Sequence, residues 1–523
     1  MSVQARLVRE KIAAGPAPEL RAVDANDIVI GKDVLELLSS AMYVDPMSVC
    51  REYVQNAADA IDEARKLGLL AEDELGRVDV DLDPTTRSVS IRDNGGGIAW
   101  PDFVRRLTTL GASTKRGAQA RGFRGVGRLA GLGYAQELVF RSRAAGETMV
   151  SEMRWDCRKL RVLLRMPEES DLPTLIAQVV TYGQVEAAGW PDRFFQAEMR
   201  GIVRLKADRL MDRTAIEDYL GQVAPVPFSP DFPFAQQIAE RLGGAVSMGN
   251  LHIHVGGKKT PTYRPHLDGF AMDEMRVSEF TGIDFFDLPS VDGGLAAVGW
   301  VLHHDYEGAI PNAARIKGLR LRSGNVQVGD AALLEELFAE TRFNAWSVGE
   351  IHVIDRRIVP NGRRDHFEQN THYANLLNHL APIARDISKR CRDGSVRRKL
   401  LRDFAMFKSA GEERVAVLEQ GAVGAAQRDG LMREAHQYRE ALQRIVVAPA
   451  LIESDEAELQ SALAAYEAKL AQVGDPLDRL KPLSNIPLDK RPMYEHMFEL
   501  IYSCSANRMA AKSLIDRIME RIV

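Results

Sequence analysis

Hydrophobic and polar positions alternate along this chain with two distinct periods, and the switch between them marks out its elements. Asp33 can cap a helix carrying Val34, Leu35, Leu37, Leu38, Ala41 and Met42, which Asp45-Pro46 then breaks. Over residues 51–62 the period is helical again: Val54, Ala57, Ile61 and Ala64 form an apolar stripe. Glu52, Asn56 and Asp59, spaced i, i+4 and i+7, fall within roughly 60° of arc on another face. Val78, Val80 and Leu82 alternate with acids, residues 83–86 (DPTT) read as a turn, and Val89 and Ile91 alternate once more. The pattern predicts a helix followed by two strands.

Further along, the signals thin out between about 145 and 205. Pro225, Pro227, Pro230 and Pro233 punctuate a domain junction, and residues 235–370 mix strand and helix signals. From 371 the chain reads as helices. Leu459, Leu463, Tyr466, Leu470 and Val473 form a packing seam, and the last helix offers Leu514, Ile518 and Ile522 at i+4 spacing. Both suit a bundle core or a dimer seam.

The first polar stripe, taken alone, is more often a solvated face. Three glycine-bearing segments downstream of it change that picture. Asp93-Asn94-Gly95-Gly96-Gly97-Ile98 stands at the end of the second strand. A carboxylate there can accept a hydrogen bond from an exocyclic amine, and glycines let a flat ring approach the backbone. A plain glycine turn is the competing reading. Next come LTTLGASTK over residues 107–115 and Gly122-Phe123-Arg124-Gly125-Val126-Gly127-Arg128 before an apolar run. Such a loop feeding a helix suits phosphate, yet no Gly-Lys-Ser/Thr comes after it, and the glycine order is not that of a dinucleotide fingerprint.

Composition narrows the class. At 523 residues, with 45% hydrophobic and 27% charged positions, the chain suits three or four globular domains. A net charge of -5 argues against wholesale nucleic-acid or anionic-membrane binding. The four cysteines lie far apart without a CxxC pair, which suggests a reducing compartment and neither a zinc site nor a disulfide framework. The N-terminus shows no secretory h-region, and no stretch approaches the ~18 apolar residues of a membrane span. A cytoplasmic location is expected.

Taken together, Glu52-x-x-x-Asn56-Ala-x-Asp59-Ala, Asp93-x-Gly95-x-Gly97 and Gly122-x-x-Gly125-x-Gly127 resemble the nucleotide-binding motifs of the GHKL superfamily. That group includes gyrase-type topoisomerases, histidine kinases, MutL and the ninety-kilodalton heat-shock chaperone. The chaperone's first helices resemble residues 35–62 almost position by position, and its lid resembles residues 109–115. The resemblance covers roughly residues 25–205 and implies an α+β chain. Its parts would be an N-terminal segment (1–24), a Bergerat-type α/β sandwich binding ATP (25–225), an α/β middle domain (226–370) and a helical C-terminal region (371–523).

The same resemblance implies a Mg²⁺-dependent ATPase. Glu52 falls at the general base, Asn56 at the Mg²⁺ ligand and Asp93 at the adenine-selecting acid. Asp59, Gly95, Gly97, Thr109, Lys115, Gly122, Phe123, Arg124, Gly125, Val126, Gly127 and Arg128 fall at ATP-binding positions. Residues 351–367 resemble the chaperone's middle-domain catalytic loop, which puts Arg364 at the arginine that reaches the γ-phosphate, with Arg363 the neighbouring register. Two departures stand out: Thr109 replaces a frequent asparagine, and the strand expected at 199–205 lacks the threonine that comes after a glycine in the family. Client or partner proteins and a homodimer are the implied partners. A nucleic-acid-associated clamp of the MutL or topoisomerase type is the alternative. The basic run near Lys389 reads more often as a solvated helix face, and His379 lacks the flanking residues of a kinase phosphoacceptor.

Overall fold

The computed structural model describes residues 31–36, 45–71, 74–110, 127–166, 171–205, 207–246, 248, 251–473, 483 and 486–522. These fall into two units. The first takes in the chain up to Phe228, with residues 247–264 and 324–326; the second holds the remainder.

In the first unit, α1 (Asp33–Glu36) and α2 (Met47–Lys66) precede the hairpin of β1 (Gly76–Asp83) and β2 (Ser88–Asp93). Helix α3 (Trp100–Thr108) and a 3-10 segment, Gly127–Gly133, lead to β3 (Glu137–Arg143) and β4 (Met149–Asp156). Then come α4 (Cys157–Arg165), α5 (Leu172–Val179), β5 (Val180–Glu186), β6 (Phe194–Arg200), α6 (Arg213–Val223) and, after an excursion into the second unit, β7 (Leu251–Val255). The strands form one sheet in the order β5-β4-β3-β6-β2-β1-β7. All described pairings are antiparallel except β1 with β7.

Alternation along the strands gives this sheet two unlike faces. Val78, Val80, Val89, Ile91, Phe140, Met153, Trp155, Ala197 and Met199 are buried on one, in a core shared with Val54, Ala57, Ile61 and Ala64 of α2. The other carries a ladder of charges. There Arg141 donates to Glu152 at 2.7 Å and to Glu198 at 2.5 Å, Arg154 pairs with Glu152, and Arg200 pairs with Glu198 and Glu137. Helix α2 is thus sandwiched, its apolar stripe on the sheet and its polar stripe turned away from it.

The second unit contains α7 (Ala235–Leu242), the small pair β8 (Gly269–Ala271) and β9 (Val277–Glu279), and a five-stranded sheet. That sheet is built from β10 (Gly282–Pro289), β11 (Leu295–His303), β12 (Gly318–Ser323), β13 (Val326–Val328) and β14 (Val348–Val353), ordered β10-β11-β14-β12-β13. Helix α8 (Thr371–Gln420) has 50 residues, about 75 Å at 1.5 Å each. Its first half buries Tyr373, Leu376, Leu380, Ala384, Ile387 and Cys391 against the sheet's core. Its second half joins α9 (Ala425–Val446), α10 (Glu453–Val473), α11 (Arg491–Cys504) and α12 (Arg508–Ile522) in a bundle. The expected seam on α10 is buried at all five positions. On α12 the buried residues are Ala511 and Ile515, whereas Leu514 is 40% exposed. No helix among the described residues is long and apolar enough to cross a membrane.

Candidate active site

Helix α2 is buried around most of its circumference, and its polar stripe is buried with the rest. Glu52 and Asp59 are 8% and 5% exposed, and Asn56 is half-buried between them. Two glycines lie at close range against this stripe. A Cβ on Gly127 would lie 2.5 Å from Glu52 Oε2. A Cβ on Gly95 would lie 2.8 Å from Asp93 Oδ1 and 3.0 Å from Ala60. Glu52 and Ala60 are two turns of helix apart, about 12 Å along the axis. The site is therefore elongated, with Asp93 and Gly95 at one end and Gly127 and Arg128 at the other.

At the Asp93 end, backbone geometry is fixed by several bonds. Asp93, the last residue of β2, is buried and its Oδ1 accepts from the Gly95 amide at 2.9 Å. Asn94 is locked to the start of β1: its Oδ1 accepts from Arg77 N at 2.8 Å, and its Nδ2 donates to Leu75 O. Gly97 has φ +70°, a left-handed conformation, and lies so close to Arg143 O that a Cβ would clash at 2.2 Å. Ser142 Oγ accepts from Ile98 N at 2.7 Å and donates to Phe194 O at 3.1 Å. The glycine run is pinned to β3 and β6.

The neighbour of Asp93 on β6 is Phe195, directly opposite it in register. This corrects the expectation that residues 199–205 form the comparable strand, since β6 ends at Arg200 and Gly201 turns away with φ +59°. An aromatic ring, stacked on Phe140 at 5.9 Å, stands beside the acid.

At the other end, Glu52 lies 3.5 Å from Arg51 Nη2, both side chains at or below 10% exposure. Tyr53 clamps the 3-10 segment onto α2: its hydroxyl accepts from Gly131 N and donates to Arg128 O, each at 3.1 Å. Arg128 donates from Nη2 to the Thr109 carbonyl at the end of α3, and its Nε has no hydrogen-bond partner among the described residues. Burial pushes the Arg128 guanidinium pKa down to about 10.

The structure brings together Glu52, Asn56, Asp59, Asp93, Gly95, Gly97, Thr109, Gly127 and Arg128 in the first unit. Lys115, Gly122, Phe123, Arg124, Gly125 and Val126 lie outside the described residues. Arg364 belongs to the second unit, where it is 6% exposed and Arg363 is exposed. Sequence reading did not single out Tyr53, Arg51, Asn94, Ser142 or Phe195 for the site. Of these only Asn94, inside the Asp-Asn-Gly turn, carried a local signal.

A Mg²⁺ ion suits the donors present. Among the described residues no cluster of three or more His, Cys, Asp or Glu could hold a metal by itself. The half-buried Asn56 amide is a hard oxygen donor of the kind Mg²⁺ takes alongside nucleotide phosphates and water.

Comparison with known proteins agrees with this geometry. The family described as "Histidine kinase-, DNA gyrase B-, and HSP90-like ATPase" matches residues 44–173. A chaperone protein HtpG of Polaromonas naphthalenivorans is 30% identical over 139 residues, 23% of this chain and 22% of the chaperone. HtpG of Acinetobacter baylyi is 31% identical over 139 residues, with the same shares. HtpG of Rickettsia prowazekii is 26% identical over 201 residues, 35% of this chain and 31% of the chaperone. The matches thus span less than a third of each relative's length. Residues 44–173, within the first unit, are thus similar to the ATPase domain of the GHKL type.

Proposed function

We propose that this protein is a Mg²⁺-dependent ATPase that works as a conformational clamp on client proteins or a dedicated partner, as a homodimer in the cytoplasm. One observation carries the reading: two buried carboxylates, Glu52 beneath Gly127 and Asp93 beside Gly95, stand toward opposite ends of the polar stripe of α2. The spacing between them gives adenine and the reacting phosphate separate stations.

Asp93 would accept a hydrogen bond from the adenine amine, with Gly95 and Gly97 keeping side chains out of the ring's path. Asn56 would hold Mg²⁺ through its amide oxygen, the ion neutralising phosphate charge when bound. Glu52 would take a proton from the attacking water as the water oxygen bonds to the γ-phosphorus and the bond to the β–γ bridging oxygen breaks. General-base catalysis of this kind contributes about 10²–10⁴-fold. Arg364 is proposed, on the sequence resemblance of its loop, as the cation that stabilises the transferred group. In the same reading residues 25–225 bind nucleotide, 226–370 supply that loop, and 371–523 dimerise.

Steady-state hydrolysis and nucleotide binding test this. Wild type should bind and slowly hydrolyse ATP, Glu52→Ala should bind without turnover, and Asp93→Asn should lose binding. Wild-type turnover by Glu52→Ala would remove the base from the scheme. A second reading, a nucleic-acid-associated clamp, is favoured by the exposed Lys389, Arg390, Arg392, Lys399 and Arg402 on α8. It requires duplex binding that weakens steeply with salt.

A further inference from the structure

Several partly buried arginines of the first unit face carboxylates, whereas Arg161 donates to the Leu132 and Ala135 carbonyls. Arg87 faces Asp208, Arg141 faces Glu152 and Glu198, and Arg200 faces Glu198 and Glu137. Arg128 has no carboxylate in ion-pair contact among the described residues; it donates instead to the neutral Thr109 carbonyl, and its Nε has no partner there. A guanidinium withdrawn from water is costly unless an anion accompanies it. A lone carbonyl is a weak substitute.

Position along α2 says which part of an elongated ligand this cation meets. Gly127, the preceding residue, packs on Glu52, while Gly95 packs on Ala60 and Asp93, about 12 Å away along the helix. The Tyr53 hydroxyl, bonded to both Arg128 O and Gly131 N, fixes the Arg128 backbone at the Glu52 end. A ligand whose base sits at Asp93 therefore brings its far end, the anionic one, toward Arg128.

We propose that Arg128 is the counter-charge for the terminal phosphate of ATP and sets the site's preference for triphosphate over diphosphate. The proposal rests on the ATP reading above. It assigns the ground-state grip on the last phosphate to a side chain of the nucleotide-binding unit itself. A guanidinium with donors to spare is matched to phosphate oxygens. The competing role is a strut that only ties the 3-10 segment to the end of α3.

The test is the ratio of two affinities in the full-length protein with Mg²⁺: a non-hydrolysable ATP analogue against ADP. Arg128→Met should weaken the analogue about ten- to hundredfold, the span of a charged hydrogen bond. ADP should weaken by less than about threefold, and Arg128→Lys should fall between. Because a ratio does not depend on the fraction of molecules folded, partial unfolding of Arg128→Met leaves the readout valid. Equal weakening of both ligands, or no change in either, overturns the proposal and assigns Arg128 the strut role. If wild type bound neither nucleotide, the ATP reading would fall and this proposal with it. Loss of binding in Asp93→Asn, with an unchanged ratio in Arg128→Met, would refute the proposal alone.

Discussion

Gly127 and Glu52 are in such close contact that a methyl group on the glycine would sit 2.5 Å from the carboxylate Oε2. The atom it meets is the far end of a flexible side chain, so the carboxylate would move before the backbone did. Gly127→Ala should therefore fold with stability within about 1 kcal/mol of wild type, yet misplace the proposed base. A displacement of that order costs about 10²-fold in rate when geometry is the catalytic device. ATPase assays should show kcat falling with nucleotide affinity nearly unchanged. Unaltered kcat would mean that the position of Glu52 does not limit turnover.

Tyr53 holds the 3-10 segment from the opposite side. Replacing it with phenylalanine removes the acceptor of the Gly131 amide, which is buried, and the donor to the Arg128 carbonyl, which is partly buried. An unmet buried amide costs roughly 1–3 kcal/mol. Denaturant unfolding of Tyr53→Phe should show a loss in that range with an unchanged dependence on denaturant. Nucleotide binding should weaken too, because Gly127 and Arg128 lie at the loosened end.

Periodicity made the polar stripe of α2 and the β1–β2 hairpin legible, since both are local patterns with all their residues within a few turns or one strand pair. The Asp93 turn was legible for the same reason. The bonds that fix the site were not. Tyr53 meets residues 75 and more positions away, and Ser142 reaches Ile98 across 44. Phe195 stands beside Asp93 because of inter-strand register, which no single segment encodes. On α12 the sequence offered Leu514, Ile518 and Ile522; Ile518 and Ile522 pack on the bundle core, but Leu514 is exposed and the most deeply buried residues are Ala511 and Ile515. A periodic stripe names a face without saying what lies opposite it.

Arg141 on the charged face of the first sheet makes the unit's stability depend on acid. Burial raises the Glu152 and Glu198 carboxyls, but hydrogen bonds and charge from Arg154, Arg141 and Arg200 outweigh it and hold both below the ordinary range. Groups depressed in this way stabilise the fold above the unfolded value of about 4.3, and lose that contribution as pH falls through the folded values. Arg141→Met should cost about 1.5–3 kcal/mol at neutral pH, the range for hydrogen bonds to charged groups. The same variant should lose less than wild type between pH 7 and 4, since part of the depression is gone. Urea midpoints at the two pH values measure both effects.

Arg364 adopts φ +55°, which a non-glycine residue holds only when its surroundings enforce it. They do so here through the backbone: its amide donates to Asn361 O at 3.1 Å and its carbonyl accepts from Gly329 N at 2.8 Å. Asn361 in turn donates to Asp365 at 2.6 Å. The next residue back, Arg363, has an exposed side chain and φ in the ordinary range. The two neighbours thus differ in burial and backbone conformation, so exchanging each in turn separates the two registers of the proposed catalytic arginine. Arg364→Ala should lower kcat about 10²-fold or more, as removal of a transition-state arginine does, with KM little changed. Arg363→Ala should leave both constants within about threefold, the small effect of an exposed charge. The reverse pattern in steady-state kinetics would transfer the role to Arg363 and reduce Arg364 to holding the shape of its loop.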